Sequence, residues 1–235
     1  MDEFHRQREI LTPEDLEGLD VDIVGAGSLG GAILLCISKM GFGIRNRITI
    51  SDFDRCEAHN LATQWFRQSH VILEQAKVDA LAETVAWICD REIVTVHGRF
   101  TGAEERPVGP VVILAVDSLE ERRRIWERLK CRDDVQLVVD ARMGAEVLEI
   151  YCVDLDEDSF DSYERSLEDD GEEYQEPCTR RAILYTVLGG ASFVGSLLRA
   201  YTMGENFSRH LVFDFRNFFV QVGGALAPAD QITPR

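Results

Sequence analysis

Short, unbroken apolar runs alternate along this chain with longer stretches whose apolar residues recur every three or four positions. VVILAVD at 111–117 is the most apolar stretch and reads as a buried strand, since a strand covered on both faces has little polar surface to show, and VDIVGAG at 21–27 reads as a short buried strand entering a glycine turn. From Leu29 to Met40 the apolar positions fall at helical spacing, and Gly41 and Gly43 close that helix. RITISDFD (47–54) reads as a second strand, Gln75 to Ile88 as a helix, and IVTVHGRF (93–100) as a third strand. Leu119 to Lys130 forms a charged helix, and 135–144 and 147–154 read as two strands joined by a tight turn. Ile183 to Tyr201 places small and apolar residues in helical order, and HLVFDFRNFFVQV (210–222) reads as a closing strand or hairpin. Residues 1–19, ending at Gly18, suggest an N-terminal helical segment and a turn.

Strands alternating with helices predict an α/β fold: a mostly parallel, Rossmann-like sheet with helices on both faces and closing antiparallel strands. There is no internal repeat and no proline- or glycine-rich linker, so residues 1–235 are expected to form one domain.

Composition narrows the function classes. A net charge of −17 argues against nucleic acid as a partner, because phosphate binding needs a basic surface. Most of that charge lies between Asp154 and Glu176, where twelve acidic residues accompany one arginine. The plain reading of this run is a solvated loop; the sharper one is a docking surface for a basic partner. No run of eighteen apolar residues occurs, and MDEFHRQREI lacks a leader-like apolar stretch, so no membrane span and a cytoplasmic location are expected. The six cysteines are scattered with no CxxC pair, which argues against a disulfide framework or a structural zinc site. Lysine is scarce, at Lys39, Lys77 and Lys130 only.

The chemistry begins at Gly25-Ala26-Gly27-Ser28-Leu29-Gly30, a GxGxxG turn between a strand and a helix. Gly25, Gly27 and Gly30 permit a tight turn and close backbone approach, and the helix N-terminus offers N–H groups to a phosphate. Asp52 ends the next strand, where a carboxylate can accept from ribose hydroxyls. This much leaves a dehydrogenase and an ATP enzyme equally open.

The segments IVGAGSLGGAILLCISKMGFGIRNRITISDFDRCEAHNLATQ, AKVDAL and AVDSLEERR then resemble the adenylation domain of ubiquitin-activating enzymes. The molybdopterin and thiamine sulfur-carrier adenylyltransferases belong to the same family. The resemblance extends from HRQREIL (5–11) to the closing strand, and implies ATP-dependent adenylation of the C-terminal glycine of a ubiquitin-like protein. It further implies that Asp52 holds the ribose, that Asn60 and Lys77 contact the phosphates, and that Asp117, with Arg122 five residues on, serves Mg²⁺·ATP. The plain alternative for Asp117 is an N-cap of the following helix, a role Ser118 can also fill. Arg6 matches an N-terminal arginine that reaches the partner's nucleotide site in related homodimers; otherwise it is a surface arginine. EPCTRRA (176–182) resembles the thioester site of ubiquitin-activating enzymes, which makes Cys178 the acyl acceptor and implies a conjugating enzyme downstream. Cys36 and Cys89, among helical apolar residues, read as core.

One departure stands out. The family usually has an arginine just before the glutamine of NLATQ, and this chain has Thr63; Arg67, four residues on, is the nearest candidate to supply the charge. The spacing from Asn60 to Lys77 is also one residue longer than usual. A sulfur-carrier activator, a nicotinamide dehydrogenase and a non-catalytic scaffold subunit remain the alternatives. Lys77 and the Asp117/Arg122 pair disfavour the dehydrogenase, and the absent CxxC pairs favour the protein-conjugation branch.

Overall fold

A computed structural model describes residues 3–156, 160–168 and 182–223. Among these residues one continuous sheet holds eight strands: β1 (Val21–Val24), β2 (Ile48–Asp52), β3 (Val94–His97), β4 (Val111–Leu114), β5 (Leu137–Gly144), β6 (Val147–Asp154), β7 (His210–Asp214) and β8 (Phe219–Gly223). Their order is β3-β2-β1-β4-β5-β6-β7-β8. The first five are parallel, and the last three close the sheet antiparallel. The chain moves outward from β1 to β3 and returns on the other side at β4. That reversal opens a crevice at the carboxyl ends of β1 and β4, where open α/β sheets bind ligands.

The helices are α1 (Ser28–Met40), α2 (Gln68–Ile72), α3 (Lys77–Cys89), α4 (Leu119–Leu129), α5 (Asp161–Arg165) and α6 (Leu184–Thr202). Alternation along the strands divides the core. Val21, Ile23, Ile113, Leu137 and Val139 face the layer holding α1, α3 and α6. Val24, Val112, Leu114 and Val138 face Trp126 of α4 and Tyr163 of α5. α1 ends where Gly41 adopts φ 110°, a left-handed cap that few residues other than glycine take. Small residues let α6 lie close on α1: a Cβ at Gly190 would stand 2.6 Å from a Leu29 methyl.

Two expectations change. Residues 3–10 form turns and Pro13–Leu16 a short 3₁₀ helix, in place of the expected N-terminal helix. Pro13 has no N–H to donate to a preceding turn. The segment is instead held on the end of α1, where Gln7 Nε2 donates to the Met40 carbonyl at 2.8 Å. The described stretch 160–168 of the acidic run is also more than a solvated loop. Tyr163 and Leu167 are buried within it, and Trp126 packs edge-on against Phe160 and Tyr163 at 5.3 and 4.9 Å. A few apolar side chains suffice to pin that stretch despite its charge.

Candidate functional site

The glycine turn is dictated by its backbone. Gly25 has φ 101°, and a Cβ there would lie 2.6 Å from the Ala115 carbonyl oxygen. A Cβ on Gly30 would overlap the Gly25 carbonyl oxygen. Gly27 differs from both: nothing lies within 4 Å of where its Cβ would be, so open space stands above the turn. It is also the N-cap of α1 and brings no side chain of its own, which leaves the first N–H groups of that helix to a ligand.

Asp52 is tied to this turn. Its Oδ2 accepts from the Ala26 N–H at 2.6 Å and its Oδ1 from the Asp54 N–H at 2.7 Å. A carboxylate has about four acceptor sites, so two such bonds leave capacity for ribose hydroxyls. Lys77 starts α3, nearly buried, with Nζ 2.7 Å from Asp54 Oδ2. A cation at a helix N-terminus opposes the dipole, and Asp54 offsets that repulsion. Asp54 went unnoticed in the sequence, although the spacing of the two aspartates in DFD (52–54) was there to be read.

Asn60 is buried and its Oδ1 accepts from the Glu57 N–H at 2.9 Å, shaping the short turn at 58–60. Thr63 stands directly over the glycine turn, its hydroxyl 2.9 Å from that of Ser28. Arg67 turns elsewhere: its guanidinium lies 3.2 Å from Glu83 on α3 and beside the buried His70. Burial, and then the Arg67 charge, lower the His70 pKa, so that the ring favours the neutral form.

Asp117 lies beyond β4 at the crevice, exposed, and makes no hydrogen bond or ion pair with any other described residue. The helix-capping role belongs to Ser118, whose Oγ accepts from the Glu121 N–H at 3.2 Å. Arg122 is buried, five residues from Asp117. Its guanidinium binds the Asp140 carboxylate and the carbonyls of Val116 and Ala141, fastening the β4–α4 turn to β5. Arg6 is exposed on the N-terminal segment at the far end of α1. A thirteen-residue helix is about 20 Å long, so Arg6 is far from the glycine turn of its own chain.

A network that sequence reasoning missed centres on Arg142. The Arg142 side chain donates to Asp140 Oδ2 through Nε at 2.9 Å, and to the Ser166 carbonyl and hydroxyl at 3.1 and 3.0 Å. It also lies over the Tyr151 ring at 4.6 Å, and Tyr163 donates to the same Asp140 oxygen at 3.1 Å. The signal was the charged pair at alternate positions 140 and 142 of an otherwise apolar strand, which puts both on one face. Cys178 lies outside the described residues. The described chain on either side meets the end of β5, through Ser166 on Arg142 and through a bridge between Ala182 and Ala145.

Cys56 feels the charges of Lys77 and Asp52, which oppose one another, and burial pushes its thiol up to about 11. Burial also raises Cys36, Cys89 and Cys152, so these thiols stay protonated and poorly nucleophilic at neutral pH. The described residues hold no cluster of three or more His, Cys, Asp or Glu able to bind a metal ion, and no helix long and apolar enough to cross a membrane.

The family described as the ThiF family matches residues 8–190. No curated protein matches the sequence. Among solved structures, PaaA aligns with a TM-score of 0.69 at 16% identity, over 90% of this chain and 65% of that one. E. coli MccB with ATP aligns with a TM-score of 0.69 at 12% identity, over 97% of this chain and 72% of MccB. MccB with selenomethionine-labelled MccA aligns with a TM-score of 0.68 at 12% identity, over 92% of this chain and 67% of that one. The chain thus spans about two thirds of the length of these structures, and at such identities they share its fold.

Proposed function

Because the chain belongs to the ThiF family, we propose that it adenylates the C-terminal carboxylate of a ubiquitin-like protein with Mg²⁺·ATP and then takes the acyl group onto Cys178. The whole of 1–235 acts as the adenylation domain. The observation that carries this reading is Asp117: a carboxylate at the strand-order reversal, left without a partner because Ser118 caps the helix. An exposed, oxygen-only ligand beside a phosphate-binding turn suits a hydrated Mg²⁺, which is bound through one or two carboxylates and neutralises phosphate charge.

The chain's own groups divide the work. The open turn at Gly27 and the first N–H groups of α1 receive the phosphates, Asp52 takes the ribose, and Lys77 faces the phosphate chain from its Asp54 contact. Asn60 contributes through the turn it shapes, and Arg122 through the β4–α4 turn that presents Asp117. Thr63 brings a hydroxyl where relatives have a cation, so Lys77 carries a larger share of the charge neutralisation. Attack of the substrate carboxylate on the α-phosphate forms the acyl adenylate and releases pyrophosphate; positioning and electrostatics supply most of the acceleration. The Cys178 thiolate then attacks the acyl carbon, AMP leaves, and a conjugating enzyme accepts the thioester. Arg6, far from its own glycine turn, acts in the partner's site of a homodimer.

A second reading follows from MccB, whose solved structures include MccA: the adenylated partner need not have a ubiquitin fold. One experiment separates the steps. Wild-type protein and Cys178→Ala are incubated with ATP and the candidate carrier and run on a non-reducing gel. A thiol-sensitive adduct in wild type alone is expected. Carrier-dependent ATP–pyrophosphate exchange without any adduct would keep the adenylation and remove the thioester.

A further inference from the structure

Beyond Asp52, the carboxyl end of β2 continues into Phe53, a residue 46% exposed. The loop after β3 folds back onto this point. The Gly98 N–H donates to the Asp52 carbonyl at 3.1 Å, and His97 Nε2 lies 3.0 Å from the Phe53 carbonyl oxygen. The next residue, Arg99, lays its guanidinium over the Phe53 ring, 4.1 Å from the centroid. Its Nη1 is 2.6 Å from Glu121 Oε1 in the first turn of α4, beside the Asp117 turn. Phe53 and Glu121 therefore fix Arg99 on one face and one edge, while more than half of the side chain stays open.

The order of parts in a nucleotide gives this arrangement a use. With phosphates at the start of α1 and ribose at Asp52, the base must project outward past Asp52, away from β1. Phe53 and Arg99 are what it meets there. We propose that Arg99, backed by Phe53 and held by Glu121, is the stacking platform for the nucleobase. A planar guanidinium stacks on a base as well as on an aromatic ring, and a preordered one loses little freedom in doing so. The assignment rests on the reading that ATP is bound at the glycine turn.

Calorimetric titration with ATP and, separately, with inorganic tripolyphosphate tests it. Arg99→Ala and Arg99→Lys should each weaken ATP about tenfold, the loss of roughly one stacking contact, and leave tripolyphosphate affinity unchanged. Phe53→Leu should give a smaller loss of the same kind. The lysine variant keeps the charge and removes the plane, so ATP affinity restored to wild type in Arg99→Lys overturns the platform. A parallel fall in tripolyphosphate affinity overturns it too, by making Arg99 a phosphate contact. Wild-type protein that binds neither probe sinks the ATP reading along with it.

Discussion

Asp117 follows the carboxyl end of β4, Asp140 lies midway along the neighbouring β5 opposite the last residue of β4, and their surroundings could hardly differ more. Asp140 is fully buried and meets Arg122, Arg142 and the Tyr163 hydroxyl. Asp117 is exposed and meets no described side chain or backbone group. A buried charge must find partners within the fold, because desolvation costs several kcal/mol per ion. An exposed one is satisfied by water and can exchange that water for a ligand. The first carboxylate holds β4, β5 and the α5 segment together; the second stays open to water or to a ligand.

The largest expected effect breaks the buried side of the comparison. Asp140→Ala removes the buried carboxylate that two guanidinium groups share and should lower unfolding free energy by about 3–5 kcal/mol, read from urea midpoints. A loss of under about 1 kcal/mol would mean that the network behaves as a surface pair. Next comes Asp117→Asn. It should leave the urea midpoint within about 0.5 kcal/mol of wild type while pyrophosphate exchange falls about a hundredfold. Exchange at the wild-type rate would remove Asp117 from the metal-binding role.

The smallest effect sharpens the point through His70. Burial, then Arg67, hold its folded pKa below 6.5, so between that folded value and 6.5 the unfolded chain binds more protons than the folded one. Stability should therefore fall as pH drops below about 6.5 and level off beneath the folded pKa, with no contribution at higher pH. His70→Gln should flatten that limb in urea titrations across the same window. A slope unchanged by the substitution would place the proton uptake on another group.

Much of this was legible in the chain itself. VVIL is so uniformly apolar that only a strand buried on both faces suits it, and each of its residues is buried, as is each residue of VDIV, where Asp22 meets Arg106 and the Gly109 N–H. Gly25 and Gly30 of the turn were readable because a backbone that close to another leaves no room for a Cβ. The apolar run at 210–222 was readable as a closing strand or hairpin, and the pairing of β7 with β8 makes it a hairpin. Less legible were the short elements α2 and α5, which are held by tertiary contacts and not by propensity. Tyr163 and Leu167 lay hidden in an acidic run whose average polarity masked them.

The sequence by itself determined the main strands and helices and the glycine turn, since these follow from local sterics and periodicity. Only the tertiary structure decided what each charge faces. Arg122 and Asp117 stand five residues apart in one motif, yet one is sealed against Asp140 and the other is open to solvent. Arg67 pairs with Glu83, and Thr63 touches Ser28. Charge pairing depends on neighbours brought together by the sheet and its crossovers, and on the water that folding removes. Neither is written in the spacing of residues along the chain.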